Sequence, residues 1–171
     1  NVAFVWEAGN KDGTARGLAS ATHVVRLDFV VSRVAAAPME PRGAVGEWDR
    51  RTGRYTLHTG IQHPHGLRTL LADQVFRVPH SHLQVVTGEV GGSFGMKSGV
   101  YPEVVLVLWA AKRLGRPVKW TSDRREGFVT DEHGRDNVST VELGLDANGQ
   151  FLALRVAINL NIGAYLTPRS A

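Results

Sequence analysis

No cysteine occurs in the 171 residues, which excludes disulfides, iron–sulfur ligation and a thiol nucleophile within this chain. A reducing compartment fits that absence. The cytoplasm is the expected location, with the periplasm as the alternative for a longer parent protein. Lysine is scarce, at four of the 20 basic residues, so the formal charge of +4 rests on arginine. Arginine's planar fork suits fixed recognition of carboxylates or phosphates better than a diffuse cationic surface. Basic residues form no long run and do not interleave with stacking aromatics, so nucleic acid is not an expected partner. No apolar stretch approaches the roughly 20 residues that a membrane helix needs, and no stretch here is expected to act as a signal-type leader. Internal repeats and low-complexity tracts are also missing.

What remains is 43% apolar and 21% charged residues, the balance of an ordinary folded domain. A chain of this length buries roughly 70% of the surface it exposes when unfolded, so it needs no covalent staple. It starts at Asn1 without methionine and stops at Ala171 just after an apolar strand pattern, which reads as a piece of something longer.

The most unusual stretch is Gly88 to Ser98, where four glycines and two serines surround Phe94. Glycine at that density costs conformational entropy and suits a backbone that takes left-handed angles or approaches another group closely. A strand-like run from His82 leads in, and a helical pattern over Val104 to Leu114 leads out. Strand, glycine loop and helix together expose unpaired amides, at the loop and at the helix start, that can face an anion.

Along the rest of the chain, residues 1–20 carry Gly9, Gly13 and Gly17 among polar neighbours and read as loop or linker remnant. Thr22 to Arg33 alternates polar and apolar residues as a half-buried strand does. Pro38 and Pro41 constrain a turn that holds Glu40 and Arg42. Ala44 to Trp48 and Arg54 to Thr59 form a predicted hairpin turned at Gly53. A helix is predicted from Pro64 and ends at Val78-Pro79; a second starts at Pro102-Glu103 and stops at Gly115. Val118 to Thr121 is a short strand, and Asp123 to Asp136 is charged and irregular. Ser139 to Leu145 and Phe151 to Asn161 pair around Asn148-Gly149. The predicted fold class is α+β, a mixed sheet with hairpins and two main helices on one side.

Standard chemistries fail on spacing. A phosphate loop needs Gly-Lys-Ser, but Met96 separates Gly95 from Lys97, and the dinucleotide fingerprint lacks its first glycine. Ser93 sits in Gly-Ser-Phe-Gly, not in the Gly-x-Ser-x-Gly of a nucleophile elbow. The histidine pairs His63/His65 and His80/His82 would suit zinc or nickel, but four ligands are required and no cysteine is available. The acids and bases from Asp123 to Asp136 read as general acid–base candidates or, more simply, as a solvated ion-pair network.

Four ordered segments carry a family resemblance: Met-Glu-Pro-Arg at 39–42, Gly-Gly-Ser-Phe-Gly-Met-Lys at 91–97, Leu-Gly-Arg-Pro-Val-Lys-Trp at 114–120 and Asp-Arg-Arg-Glu at 123–126. Together they resemble the molybdenum-binding large subunit of the molybdenum hydroxylases: xanthine dehydrogenase, aldehyde oxidase and the aerobic carbon monoxide dehydrogenase-like proteins. The Gly-Met-Lys variant leans to the last group. Gln62 opens a Gln-x-Pro-x-x-x-Arg pattern ending at Arg68 that agrees, and the likeness runs from about Pro38 to the C-terminus.

The resemblance implies that residues 21–171 are part of a molybdopterin-binding domain, with Gly91, Gly92, Ser93, Phe94, Gly95, Met96 and Gln62 at the cofactor. It puts the backbone of Phe94 near molybdenum, with no side-chain ligand. The implied cofactor is molybdopterin in its cytosine dinucleotide form, with iron–sulfur clusters and FAD on other domains or subunits. The implied partners are therefore the remainder of the large subunit, those subunits and a small-molecule substrate. The implied reaction of the full-length parent is hydroxylation of a carbon centre with oxygen from water, or carbon monoxide oxidation.

Three departures narrow this. Val34 to Ala37 lacks a glutamine found in some members, Ser98 replaces a glutamate of the xanthine type, and the catalytic glutamate lies beyond Ala171. No catalytic residue is expected in this piece, which should be inactive alone. The alternative reading is a binding or assembly module that keeps the fold without the cofactor.

Overall fold

The structure, a computed structural model, describes residues 2–164. The described chain forms two units, one made of residues up to 33 with those from 135 onward, the other of residues 34–134.

The first unit is a three-stranded antiparallel sheet in the order β1 (His23–Val31), β8 (Asn137–Leu145), β9 (Phe151–Leu160), with a helix, α1 (Lys11–Ser20), on it. Residues 11–20, expected to be loop, are helical. Asn10 caps the helix by accepting from the Gly13 amide at 2.8 Å. Gly17 lets the helix approach β9, since a Cβ there would lie 2.8 Å from Ala153 Cβ. The glycines that suggested a loop instead serve capping and close packing. The β8–β9 hairpin turns through Asp146–Gln150, with Gly149 at φ 81°, as its Asn-Gly pair predicts.

The second unit holds the glycine loop. Its main sheet has four strands in the order β5 (Leu83–Val86), β4 (Arg54–Thr59), β3 (Gly43–Asp49), β6 (Val118–Thr121). β4 and β5 run parallel and the other pairs antiparallel, so this is the predicted mixed sheet. Tyr55 and Leu57 alternate on β4; their cross-strand partners Trp48, Gly46, Leu83 and Val85 share that face. Against it pack Leu67 from α2 (Pro64–Leu70), Leu71 and Ala72 from the π-helical turn that extends it to Phe76, and Val104, Val107 and Leu108 from α3 (Pro102–Leu114). Both helices thus lie on one face, in an α+β arrangement. Gly46 is where α3 comes closest: a Cβ there would stand 2.6 Å from the Val107 backbone. α3 ends where Gly115 turns left-handed at φ 65°.

Two short strands, β2 (Val34–Ala35) and β7 (His133–Gly134), pair as a separate antiparallel sheet. Between β6 and β7, the segment predicted to be irregular contains α4 (Arg124–Thr130). A capping box explains it: Asp123 accepts from the Glu126 amide and Glu126 reaches back to the Asp123 amide. Among the described residues, no helix is long and apolar enough to cross a membrane.

Candidate functional site

The loop from Gly88 to Ser98 bends through three left-handed residues in four positions: Gly92 at φ 95°, Phe94 at 53° and Gly95 at 92°. Such an angle strains a residue with a bulky side chain, so it persists only where the surroundings fix it. Phe94 nonetheless projects outward, 79% exposed. The loop is fixed from behind at both ends. Glu40 donates its amide to the Gly91 carbonyl at 3.1 Å, and its carboxylate accepts from the Gly91 amide at 2.9 Å. That same oxygen accepts from Lys97 Nζ, whose side chain is only 1% exposed. One carboxylate therefore ties the start of the loop to its end. Gly91 is needed here, because a Cβ would lie 2.6 Å from Glu40 Cβ.

The serines complete the support. Ser93 Oγ donates to Gln62 Oε1 at 2.6 Å and accepts from the Lys97 amide at 2.9 Å, while Ser98 Oγ donates to the same Gln62 oxygen at 2.7 Å. The Gln62 amide donates to the Lys97 carbonyl at 2.9 Å. Gln62 thus joins the loop through both backbone and side chain. Met96 is buried, and its carbonyl accepts from the Tyr101 hydroxyl at 3.1 Å. Tyr101 in turn accepts from the Glu132 amide at 3.0 Å.

Behind Tyr101 lies Arg42, 6% exposed, donating to Glu103, Asp131 and Thr130 with its guanidinium 3.7 Å above the Tyr101 ring and 5.1 Å from that of Trp120. Burial pulls its pKa down, but the bonds to Glu103 and Asp131 outweigh this and leave it above its ordinary value. Burial likewise pushes the Tyr101 hydroxyl up to about 12. At Glu40 the Lys97 bond dominates, helped by the Gly91 amide, and holds the carboxylate below its usual range. Glu103, in the first turn of α3, is occupied by Arg42.

Gly91, Gly92, Ser93, Phe94, Gly95, Met96 and Gln62 are thus brought together, with Phe94 outside and Met96 inside. Sequence reading missed the support: Glu40, Lys97 and Tyr101. The signal available was a rare lysine closing a glycine loop and an acid held between two prolines. Of the other candidates, His80 and the charged residues after Asp123 have local partners. His80 bonds to Asp73 at 2.8 Å, and no group of three or more histidines and acids suited to a metal occurs among the described residues. Asp123 and Glu126 cap α4, Asp131 holds Arg42, and Asp136 pairs with Arg33, so the charged segment is an ion-pair and capping network.

The amides of Gly91, Gly92, Met96, Lys97 and Ser98 are all engaged within the protein. Those of Ser93, Phe94 and Gly95 have no acceptor among the described residues. A braced loop that presents successive unpaired amides can hold an electron-rich group.

The family model described as a molybdopterin cofactor-binding domain matches residues 1–171. Among curated relatives, subunit gamma of the 6-hydroxypseudooxynicotine dehydrogenase complex of Paenarthrobacter nicotinovorans is 42% identical over 88% of this chain and 19% of that protein. The carbon monoxide dehydrogenase large chain of Hydrogenophaga pseudoflava is 36% identical over 96% of this chain and 20% of that protein. Among solved structures, reconstituted CO dehydrogenase from Oligotropha carboxidovorans superposes with a TM-score of 0.83 at 35% identity, covering 90% of this chain and 19% of that one. The chain spans about a fifth of the length of the curated relatives it matches.

Proposed function

The chain belongs to the molybdopterin cofactor-binding domain family, and on that basis we propose that its glycine loop is a wall of a molybdenum–pterin site in a larger oxidoreductase subunit. The observation that carries the reading is the loop itself: the amides of Ser93, Phe94 and Gly95 have no acceptor among the described residues, while Glu40, Lys97, Gln62 and Tyr101 brace the loop.

The residues fit such a group. Free N–H donors suit oxo and dithiolene acceptors, and a Cβ built on Gly95 meets no protein atom, so the space before it is open. When bound, the cofactor supplies the redox chemistry, hydroxylating a carbon centre with water-derived oxygen or oxidising carbon monoxide. This chain's part is to bind and orient: the loop's amides without an acceptor among the described residues would donate to the group, and Phe94, 79% exposed, adds an apolar surface beside them. Gln62 and Met96 act from beneath, through the serines and Tyr101 respectively. No residue here is assigned acid–base work. The chain alone is expected to show no substrate-dependent dye reduction.

The same reading assigns the cytosine dinucleotide form to the pterin. It places iron–sulfur clusters and flavin on other domains or subunits, in keeping with the lack of cysteine, and the assembly in the cytoplasm. Molybdenum and released pterin nucleotide, measured per polypeptide in the full-length protein carrying this chain, test the proposal. Gly95→Val should remove most of both while costing roughly 1–3 kcal/mol of stability from backbone strain. A folded wild-type protein without cofactor would refute the reading, as would full retention in the variant.

A further inference from the structure

We propose that the groove between α2 and the outer edge of β5 takes up an extended polypeptide strand bearing a carboxylate, supplied from outside these 171 residues. The proposal does not depend on the cofactor reading. β5 is the last strand of its sheet, so its outer side carries backbone N–H and C=O groups with no strand beside them among the described residues. Such an edge is a template for a further strand. Along it runs a groove of about 450 Å³ lined by the consecutive residues Leu83 to Thr87. A cleft on a sheet's face meets alternate residues; one that meets every residue follows an edge.

Two arginines, Arg54 of β4 and Arg68 of α2, bring positive charge to the groove. Arg54, His65, Arg68 and His80 line the groove and no carboxylate does, although Asp73 is bonded to His80 at 2.8 Å. Arg68 Nε is fully buried and has no hydrogen-bond partner among the described residues. A buried guanidinium N–H without an acceptor is costly and native structures rarely keep one. Arg68 itself is half-buried and lines the groove, so a bound acceptor would relieve this, and a carboxylate matches the arginine fork. An extended segment with one acidic side chain meets both needs at once. Its backbone pairs with β5 and its carboxylate reaches Arg68. A free phosphate would answer only the second.

The test uses the full chain with three probes: a capped six-residue peptide of alternating valine and threonine with one central glutamate, its glutamine counterpart, and inorganic phosphate. The glutamate peptide is expected to slow amide exchange along Leu83 to Val86 and to bind about tenfold more tightly than the glutamine peptide, the worth of one good charge-assisted pair. Arg68→Met should erase that preference, and Arg68→Lys should keep a fraction of it. Equal affinity of the two peptides would overturn the proposal, as would a preference that survives Arg68→Met. So would phosphate perturbing Arg68 as strongly as the glutamate peptide while β5 gains no protection.

Discussion

Replacing Lys97 by methionine removes the charge that closes the glycine loop and keeps most of the side-chain volume. The Lys97 side chain is 1% exposed and its partner Glu40 is 43% exposed. Breaking a fully buried pair costs about 3–5 kcal/mol, chiefly because the abandoned charge stays buried. Glu40 reaches water and keeps the Gly91 amide, so much of that cost is screened and about 1–3 kcal/mol remains. Denaturant unfolding followed by tryptophan fluorescence reads this directly, since Trp48, Trp109 and Trp120 all lie within residues 34–134. Glu40→Gln in the same assay, with the double variant, gives the coupling between the two, expected at about 1–2 kcal/mol for a contacting pair. A loss below about 0.5 kcal/mol for Lys97→Met, the usual range of a surface substitution, would refute the claim that this pair holds the loop.

The Glu40 carboxylate sits below its ordinary 4.5, so its stabilisation is present above that pH and is lost as pH falls through and below it; Glu40→Gln should flatten this part of the unfolding midpoint between pH 7 and 3. Tyr101→Phe removes two hydrogen bonds and leaves the Met96 carbonyl and the Glu132 amide short of a partner, for an expected loss of about 1–3 kcal/mol in urea unfolding. Because Tyr101 titrates near 12 when folded instead of 10, the wild-type protein should also lose stability as pH rises from 10 to 12, and the variant should lose less. Gly91→Ala drives a Cβ to 2.6 Å from Glu40 Cβ and should cost about 1–3 kcal/mol, with thermal melting as the check.

The parts of the fold legible in the sequence were those fixed by neighbours in the chain. Gly53 and Asn148-Gly149 announced their hairpins, and Pro102 with Gly115 bounded α3 to within a residue. α1 was hidden because Gly13 and Gly17 look like breakers; one amide bonds the Asn10 cap and the other residue seats the helix against β9. α4 was hidden differently. Its Asp-x-x-Glu capping box was visible, but the density of charge suggested chemistry. The glycine loop was legible from composition, and the kinship of the chain with a cofactor-binding domain family from the motifs around it. Its support was not. Glu40 and Lys97 are 57 residues apart, and Tyr101 and Glu132 are 31 apart, separations that no local pattern encodes.

The central claim is that Ser93, Phe94 and Gly95 face the cofactor with their amides. Backbone hydrogen exchange at these three positions, compared between cofactor-loaded and cofactor-free forms of the full-length protein, tests it most directly. The account expects exchange at Phe94 and Gly95 to slow by about tenfold or more on loading, the protection expected of amides that gain an acceptor, while the already bonded amides of Gly91 and Lys97 change little. Unchanged exchange at Ser93, Phe94 and Gly95 in the loaded protein would contradict it.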